Sequence, residues 1–157
     1  EETVVMVNGL GCDHRLMSGC MEPVFETSDG YQRVYIDLPG MGQSGASAAF
    51  ASSDKLLEVL LAFIRDKITG PFLLAGESYG GYLARGVLAR LTEAVDGMLL
   101  ICPVVYPQYE ARKVGEMNIQ LIDHNYFDRI HGDEKDEFLQ MATISNPVTY
   151  THMTLPT

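Results

Sequence analysis

The chain has 157 residues, of which 46% are hydrophobic and 20% charged, enough for one globular domain with a sizeable core and too few for two ordinary ones. Eleven basic residues against 21 acidic ones give a formal net charge of −10. An acidic surface repels phosphate backbones and anionic lipid, so we expect neither nucleic acid nor a membrane surface as a partner.

The first elements predicted along the chain are a strand, a helix and a second strand. A β-branched run at 3–7 stops at Asn8-Gly9, as a buried strand ending in a turn does. Asp13 is placed to cap a helix that runs to about Phe25, although a proline near its end weakens the last turn. A second strand is predicted over 32–38, and a long loop rich in Gly, Ser and Ala follows over 39–52.

Three elements of alternating type complete a βα pattern. Ser53 or Asp54 is predicted to cap an amphipathic helix that ends at about Ile68. A third strand follows at 72–75, then a helix at 79–91 and a fourth strand at 97–102. Strands that alternate with helices, and that read as continuous apolar runs, indicate an α/β fold with a mostly parallel sheet and helices on both faces.

The segment Gly76-Glu77-Ser78-Tyr79-Gly80 carries the chemistry that the sequence indicates. It matches G-x-S-x-G and lies between a predicted strand and a predicted helix, which is the context this motif requires. A sharp, strained turn exposes the Ser78 hydroxyl, and glycines two residues to either side let strand and helix pass closely. The helix N-terminus directs backbone N–H groups at an anion forming beside Ser78. The motif therefore predicts Ser78 as a nucleophile with a positive φ.

Together with two further segments, this motif resembles the α/β-hydrolase family. Asn8-Gly9-Leu10-Gly11 stands where the family has a His-Gly loop after its third strand, and 37–44 (DLPGMGQS) resembles the turn after its fourth. The resemblance implies an oxyanion hole formed by the backbone N–H groups of Leu10 and Tyr79, in a cleft floored by Leu10. Asn8 replaces the usual histidine. This difference has little effect on the oxyanion hole, because backbone N–H groups form it. The turn at 37–44 is expected to be structural.

The resemblance also implies a strand order and missing parts. With the right-handed crossover rule, it predicts four parallel strands in the spatial order 32–38, 3–8, 72–76, 97–102. Residues 1–105 are then a partial core, and the polar residues 106–157 a helical lid with an irregular tail. The family's first two strands, and the strands that carry its catalytic acid and histidine, are expected to lie outside this chain.

None of the four histidines is predicted to be the general base. His14 begins a helix and is expected at the surface, near the mouth of the cleft. His124 and His131 fall in the lid, and His152 falls in the tail. The acidic cluster at 133–137 is interpreted as a solvated helix start without metal-ligand spacing. No metal is predicted.

A second glycine motif predicts no cofactor. Residues 40–45 fit G-x-G-x-x-G, but the dinucleotide fingerprint needs a helix that opens directly on the glycines. Here Pro39 precedes them, and no helix is predicted before about residue 53. We expect neither NAD nor any other cofactor.

The compartment is predicted from the cysteines and the N-terminus. Three cysteines form no disulfide framework, and Cys20 and Cys102 lie in apolar segments that predict buried free thiols. No apolar run reaches the roughly 18 residues of a membrane span, and the first residues lack the basic region of a signal peptide. These features indicate a cytoplasmic protein, and the oligomeric state stays undetermined.

Two functions compete at this point. The first is a serine hydrolase that acts on a small ester, thioester, amide or activated carbon–carbon bond through Ser78. The second is a non-catalytic fragment or pseudoenzyme that retains a small-molecule pocket. Fold resemblance alone supplies no substrate.

Overall fold

The computed structural model describes residues 1–113, 128–129 and 131. The chain divides into two compact units, Glu1–Pro107 and Gln108–Thr157, and the fold below is that of the first. His124, His152, the acidic cluster at 133–137 and most of the predicted lid lie outside the described residues. The assignment of 106–157 as a lid therefore stays a prediction.

Four parallel strands form one sheet in the described part of the chain. In chain order they are β1 (Glu2–Val7), β2 (Tyr31–Ile36), β3 (Phe72–Glu77) and β4 (Val95–Ile101). The spatial order is β2-β1-β3-β4, and every pairing is parallel. Both the α/β fold class and the predicted strand order are confirmed. In the register Val7 pairs with Ile36 and Gly76, so the carboxyl ends of the strands meet at one edge.

Three α-helices connect the strands. The helix α1 spans His14–Phe25, and Asp13 is its N-cap, as predicted. The Asp13 side chain accepts a hydrogen bond from the Arg15 N–H. The helices α2 (Ser53–Lys67) and α3 (Tyr79–Arg90) follow β2 and β3. Single 3₁₀ turns lie at Ala48–Phe50 and Thr92–Ala94 in this unit, and another, Tyr109–Ala111, belongs to the second unit.

The two central strands bury side chains on both faces of the sheet. Alternate residues of β1 point to opposite sides: Val5 and Val7 pack toward α2 and α3, whereas Val4 and Met6 pack toward α1. β3 divides in the same way. Helices therefore cover both faces, as the continuous apolar runs predicted. The outer strands are less covered, and Leu99 of β4 is 48% exposed within the described part of the chain.

Several element boundaries differ from the prediction. β2 ends at Ile36 instead of Leu38, because the chain turns there, and Leu38 is buried as a loop residue. β4 begins at Val95 and ends one residue before Cys102, and a register irregularity accompanies its start. The cap of α2 is Ser52, whose hydroxyl accepts from the Lys55 N–H. The ends of strands and helices are set by backbone hydrogen bonds, and the pattern of apolar residues indicates these bonds only indirectly.

The prediction that Cys20 and Cys102 are buried is wrong. Both are exposed free thiols, and Cys12 is a half-buried one. α1 buries only a narrow stripe at Met17 and Met21, which leaves Cys20 outside. Cys102 follows the end of β4 and adopts a positive φ of 36°, which turns the chain out of the sheet.

Asp37, just beyond β2, organises the glycine-rich turn. Its carboxylate accepts hydrogen bonds from the backbone N–H groups of His14, at 2.7 Å, and Gln43, at 3.1 Å. The His14 Nδ1 lies 3.0 Å from Oδ2. Gly42 has a φ of 54°, and a Cβ there would collide with the same carboxylate. The turn is thus fastened to the start of α1, in agreement with a structural role.

We expect Asp37→Asn to lower the free energy of unfolding at pH 7 by about 1.5–3 kcal/mol, because an amide cannot accept from all of these donors. Burial opposes ionisation, but the hydrogen bonds from Gln43 and His14 outweigh it and lower the pKa of Asp37. A depressed folded-state pKa stabilises the fold above the unfolded value of about 3.9, and this contribution is lost as pH falls through the folded value. Urea unfolding between pH 7 and pH 2.5 measures both effects.

The matched control is Asp29→Asn, at an exposed loop position. It should leave both the stability at pH 7 and the acid dependence unchanged. Equal acid dependence in wild type and Asp37→Asn would contradict the prediction.

Candidate active site

Ser78 occupies a strained turn between β3 and α3. Its φ is 49° and its ψ is −113°, so the predicted positive φ is confirmed. Such a conformation costs a residue with a Cβ about 1–3 kcal/mol, and it persists only where the surroundings impose it. The side chain is half-buried and makes no capping hydrogen bond to α3. Its hydroxyl is therefore not committed to the helix that it precedes.

Backbone hydrogen bonds impose this conformation. The Ser78 N–H donates to the Ile101 carbonyl at 2.9 Å, and the Ser78 carbonyl accepts from the Val104 N–H at 2.9 Å. Both bonds reach the segment that leaves β4, where Cys102 has its own positive φ of 36°. The bend after β4 thus places Ile101 and Val104 where they can hydrogen-bond the Ser78 backbone at both its N–H and its carbonyl.

Two glycines of the motif are required by close approach. A Cβ at Gly76 would lie 2.6 Å from the Gly80 carbonyl oxygen. A Cβ at Gly80 would lie 2.6 Å from the Asn8 carbonyl oxygen and closer still to that of Val7. The first turn of α3 therefore rests directly on the end of β1, as the glycine spacing predicted.

The loop after β1 is braced by Asn8, which is fully buried. Its side-chain amide donates to the carbonyls of Gly9, at 3.3 Å, and Cys12, at 2.6 Å. Gly11 supplies a φ of 74° between them. Sequence reasoning treated Asn8 only as a substitution for histidine and missed this brace. The available signal was a polar residue directly after a buried strand.

This loop touches the serine turn at Gly9. A Cβ at Gly9 would lie 3.3 Å from the Ser78 Cβ and would collide with the Glu77 carboxylate. Leu10 is the next residue, and its side chain is 68% exposed. The N–H of Tyr79 lies in the first turn of α3, where backbone N–H groups have no intrahelical acceptor. That Leu10 floors a cleft beneath the hydroxyl stays a prediction.

The side chain of Tyr79 connects α3 to α2. Its hydroxyl donates to the Ser53 Oγ at 2.8 Å, and its ring stacks on Tyr82 with centroids 6.0 Å apart. These contacts hold the first turn of α3, and with it the residue after Ser78, against the start of α2.

One carboxylate and two thiols lie near the serine turn. Burial raises the pKa of Glu77, although the hydrogen bond from the Cys102 thiol opposes the shift. Burial and the Glu77 charge raise the pKa of Cys12 and of Cys102. Both thiols therefore stay protonated at neutral pH, and neither is activated as a nucleophile.

The remaining predicted residues are placed as follows. His14, predicted at the surface, is half-buried: its ring contacts Asp37, and its side chain is 36% exposed. His131 is exposed. Within residues 1–113, 128–129 and 131, no group of three or more His, Cys, Asp or Glu side chains could hold a metal ion. No helix in the same part of the chain is long and apolar enough to cross a membrane.

The fold is a parallel sheet with helices on both faces. It holds a serine at positive φ in the turn between a central strand and the following helix. These two features place the protein among the α/β proteins with a strand-to-helix serine turn. The chain belongs to the alpha/beta hydrolase family, whose sequence profile matches residues 4–150.

Known relatives are hydrolases. An (E)-2-((N-methylformamido)methylene)succinate hydrolase from Acinetobacter baylyi is 27% identical over 128 residues, which are 81% of this chain and 47% of that protein. An alpha/beta superfamily hydrolase from Oenococcus oeni has a similar structure with a TM-score of 0.70 and 31% identity, over 91% of this chain and 53% of that one. A thermophilic esterase from Thermogutta terrifontis shares the fold, with a TM-score of 0.59 and 22% identity, over 69% of this chain and 39% of that one. The chain spans about half the length of the first two.

Proposed function

We propose that this chain is the nucleophile-bearing part of a serine hydrolase that acts on a small ester, thioester, amide or activated carbon–carbon bond. The observation that carries the proposal is the backbone of Ser78, held at a φ of 49° between β3 and α3 by hydrogen bonds to the segment after β4. Strain of this kind is retained where a side chain must be presented for chemistry.

In the proposed reaction the Ser78 Oγ attacks the carbonyl carbon of the substrate, and the hydroxyl proton passes to a histidine. The carbonyl oxygen becomes an oxyanion that accepts hydrogen bonds from the backbone N–H groups of Leu10 and Tyr79. Collapse of this intermediate expels the leaving group, which takes the proton from the histidine. Water then hydrolyses the acyl-enzyme by the same steps. The contact of Gly9 with Ser78 supports the assignment of Leu10, since it brings the loop against the turn.

The histidine and the acid that orients it are proposed to lie outside residues 1–157. Of the histidines in the described residues, His14 directs Nδ1 to Asp37 of the structural turn, and His131 is exposed. The Acinetobacter relative is named for an N-methylformamido-substituted succinate, which supports keeping amides among the substrate classes.

The alternative is a non-catalytic module that retains the fold. A fluorophosphonate probe separates the two, because it modifies only an activated serine. We expect the full-length protein to label within minutes, and mass spectrometry of the peptides to place the label on Ser78. Residues 1–157 alone should label far more slowly, because no base accepts the serine proton.

Other outcomes are equally decisive. A full-length protein that does not label would support the non-catalytic alternative. Rapid labelling of residues 1–157 at Ser78 would show that the base lies within them, and His14 would be the first histidine to replace, since its ring is already held by a carboxylate.

A further inference from the structure

Glu77 has no part in the reaction described above, yet it lies between the loop after β1, which carries Leu10, and the segment after β4, which binds the Ser78 backbone. It is the last residue of β3, directly before Ser78, and it pairs with Ile101 of β4. Alternation along the strand places its side chain on the same face as Leu73 and Ala75, toward α1. The loop after β1 and the segment after β4 flank it there.

The contacts of the carboxyl group are made on both sides. On one side, the Gly9 backbone lies so close to Oε2 that a Cβ would not fit. On the other, the Cys102 thiol donates to Oε1 at 3.6 Å. Oε2 is itself buried and has no hydrogen-bond partner among the described residues. The carboxyl group thus fills the space between the two segments.

We propose that Glu77 is a positioning residue for the oxyanion hole: its carboxyl group packs between the Gly9 backbone and the segment after β4, keeps Gly9 beside the serine turn and so fixes the Leu10 N–H next to it. This inference rests on the proposed function for its catalytic meaning. The structural part, that Glu77 sets the position of the loop, is tested separately.

The charge on Glu77 lies beside this contact. A charge so close to the Gly9 backbone changes the electric field at the Gly9 and Leu10 amides, so both amides respond as pH passes through the Glu77 pKa. Burial raises that pKa above its ordinary value. The titratable groups that face Glu77 are the thiols of Cys12 and Cys102, whose pKa values are raised above the ordinary thiol value, so both are neutral over this pH range. The Glu77 carboxyl is therefore the group whose ionisation the two amides report.

The test is a pH titration of the ¹⁵N-labelled 157-residue chain by NMR between pH 4 and pH 8. We expect the amide resonances of Gly9 and Leu10 to move in one step, with a midpoint above the ordinary glutamate value of about 4.3. Glu77→Gln has the same shape but cannot ionise, so the step should vanish. The control, Glu93→Gln at an exposed position, should retain it. Resonances that do not move in wild type, or a step that persists in Glu77→Gln, would overturn the proposal.

A kinetic measurement on the full-length protein tests the catalytic meaning. Glu77→Ala should lower kcat by about 10- to 100-fold with KM little changed, since a displacement near 1 Å has this effect on a reacting group. Glu77→Gln, which still fills the space, should recover most of the rate at pH 8. A change in KM alone would overturn the positioning role. Turnover that survives Ser78→Ala would instead contradict the proposed function, while the amide titration still decides whether Glu77 holds the loop.

Discussion

Gly80→Ala is expected to lower the free energy of unfolding by about 4 kcal/mol or more, a large part of the 5–15 kcal/mol that holds a domain together. The added methyl group would meet the carbonyl oxygens of Val7 and Asn8, which are backbone atoms that cannot rotate away. Either α3 must leave the end of β1 or the strand must shift. Urea unfolding followed by circular dichroism measures the loss.

Gly19→Ala is the matched control for this substitution. Gly19 is a helical glycine of α1 with nothing within 4 Å of the added Cβ, so the same change should stabilise by about 0.5–1 kcal/mol. Equal stability of Gly80→Ala and wild type would show that α3 does not depend on its close approach to β1.

Under the proposed function, Ser78→Ala in the full-length protein is expected to lower kcat by a factor of about 10⁴–10⁶, with residual turnover from the oxyanion hole. The fold should persist, because the Ser78 side chain makes no capping hydrogen bond and alanine bears the same backbone strain. Steady-state hydrolysis of an activated ester measures the effect. The control is Ser18→Ala, which removes an exposed hydroxyl from α1.

Ser78→Gly separates strain from chemistry at the same position. Glycine adopts a φ of 49° without the Cβ penalty, so this variant should be inactive yet about 1 kcal/mol more stable than Ser78→Ala. Equal stability of the two variants would show that the turn stores no strain. Wild-type turnover in Ser78→Ala would remove Ser78 from the mechanism.

The sequence by itself determined the fold class, the strand order and the strained serine. Apolar runs bounded by turn residues identify strands because backbone pairing and burial act within a few residues. The role of the glycines around Ser78 can be predicted for the same reason. Each lacks a Cβ at a point where helix and strand approach closely, and in the structure a Cβ at Gly76 or Gly80 would collide with the backbone. Asp13 as a helix cap is a contact between near neighbours.

Only the tertiary structure decided the contacts that join distant segments. The sequence does not show which groups Asn8 braces, and it contains no signal that Asp37 fastens its turn to His14 or that Glu77 lies between Gly9 and Cys102. The prediction that the Cys102 thiol is buried is wrong because the exposure of Cys102 depends on how the chain leaves β4. Local patterns specify elements. The side chains that meet at the carboxyl edge of the sheet are set by the register of four strands, each separated from the next by a helix.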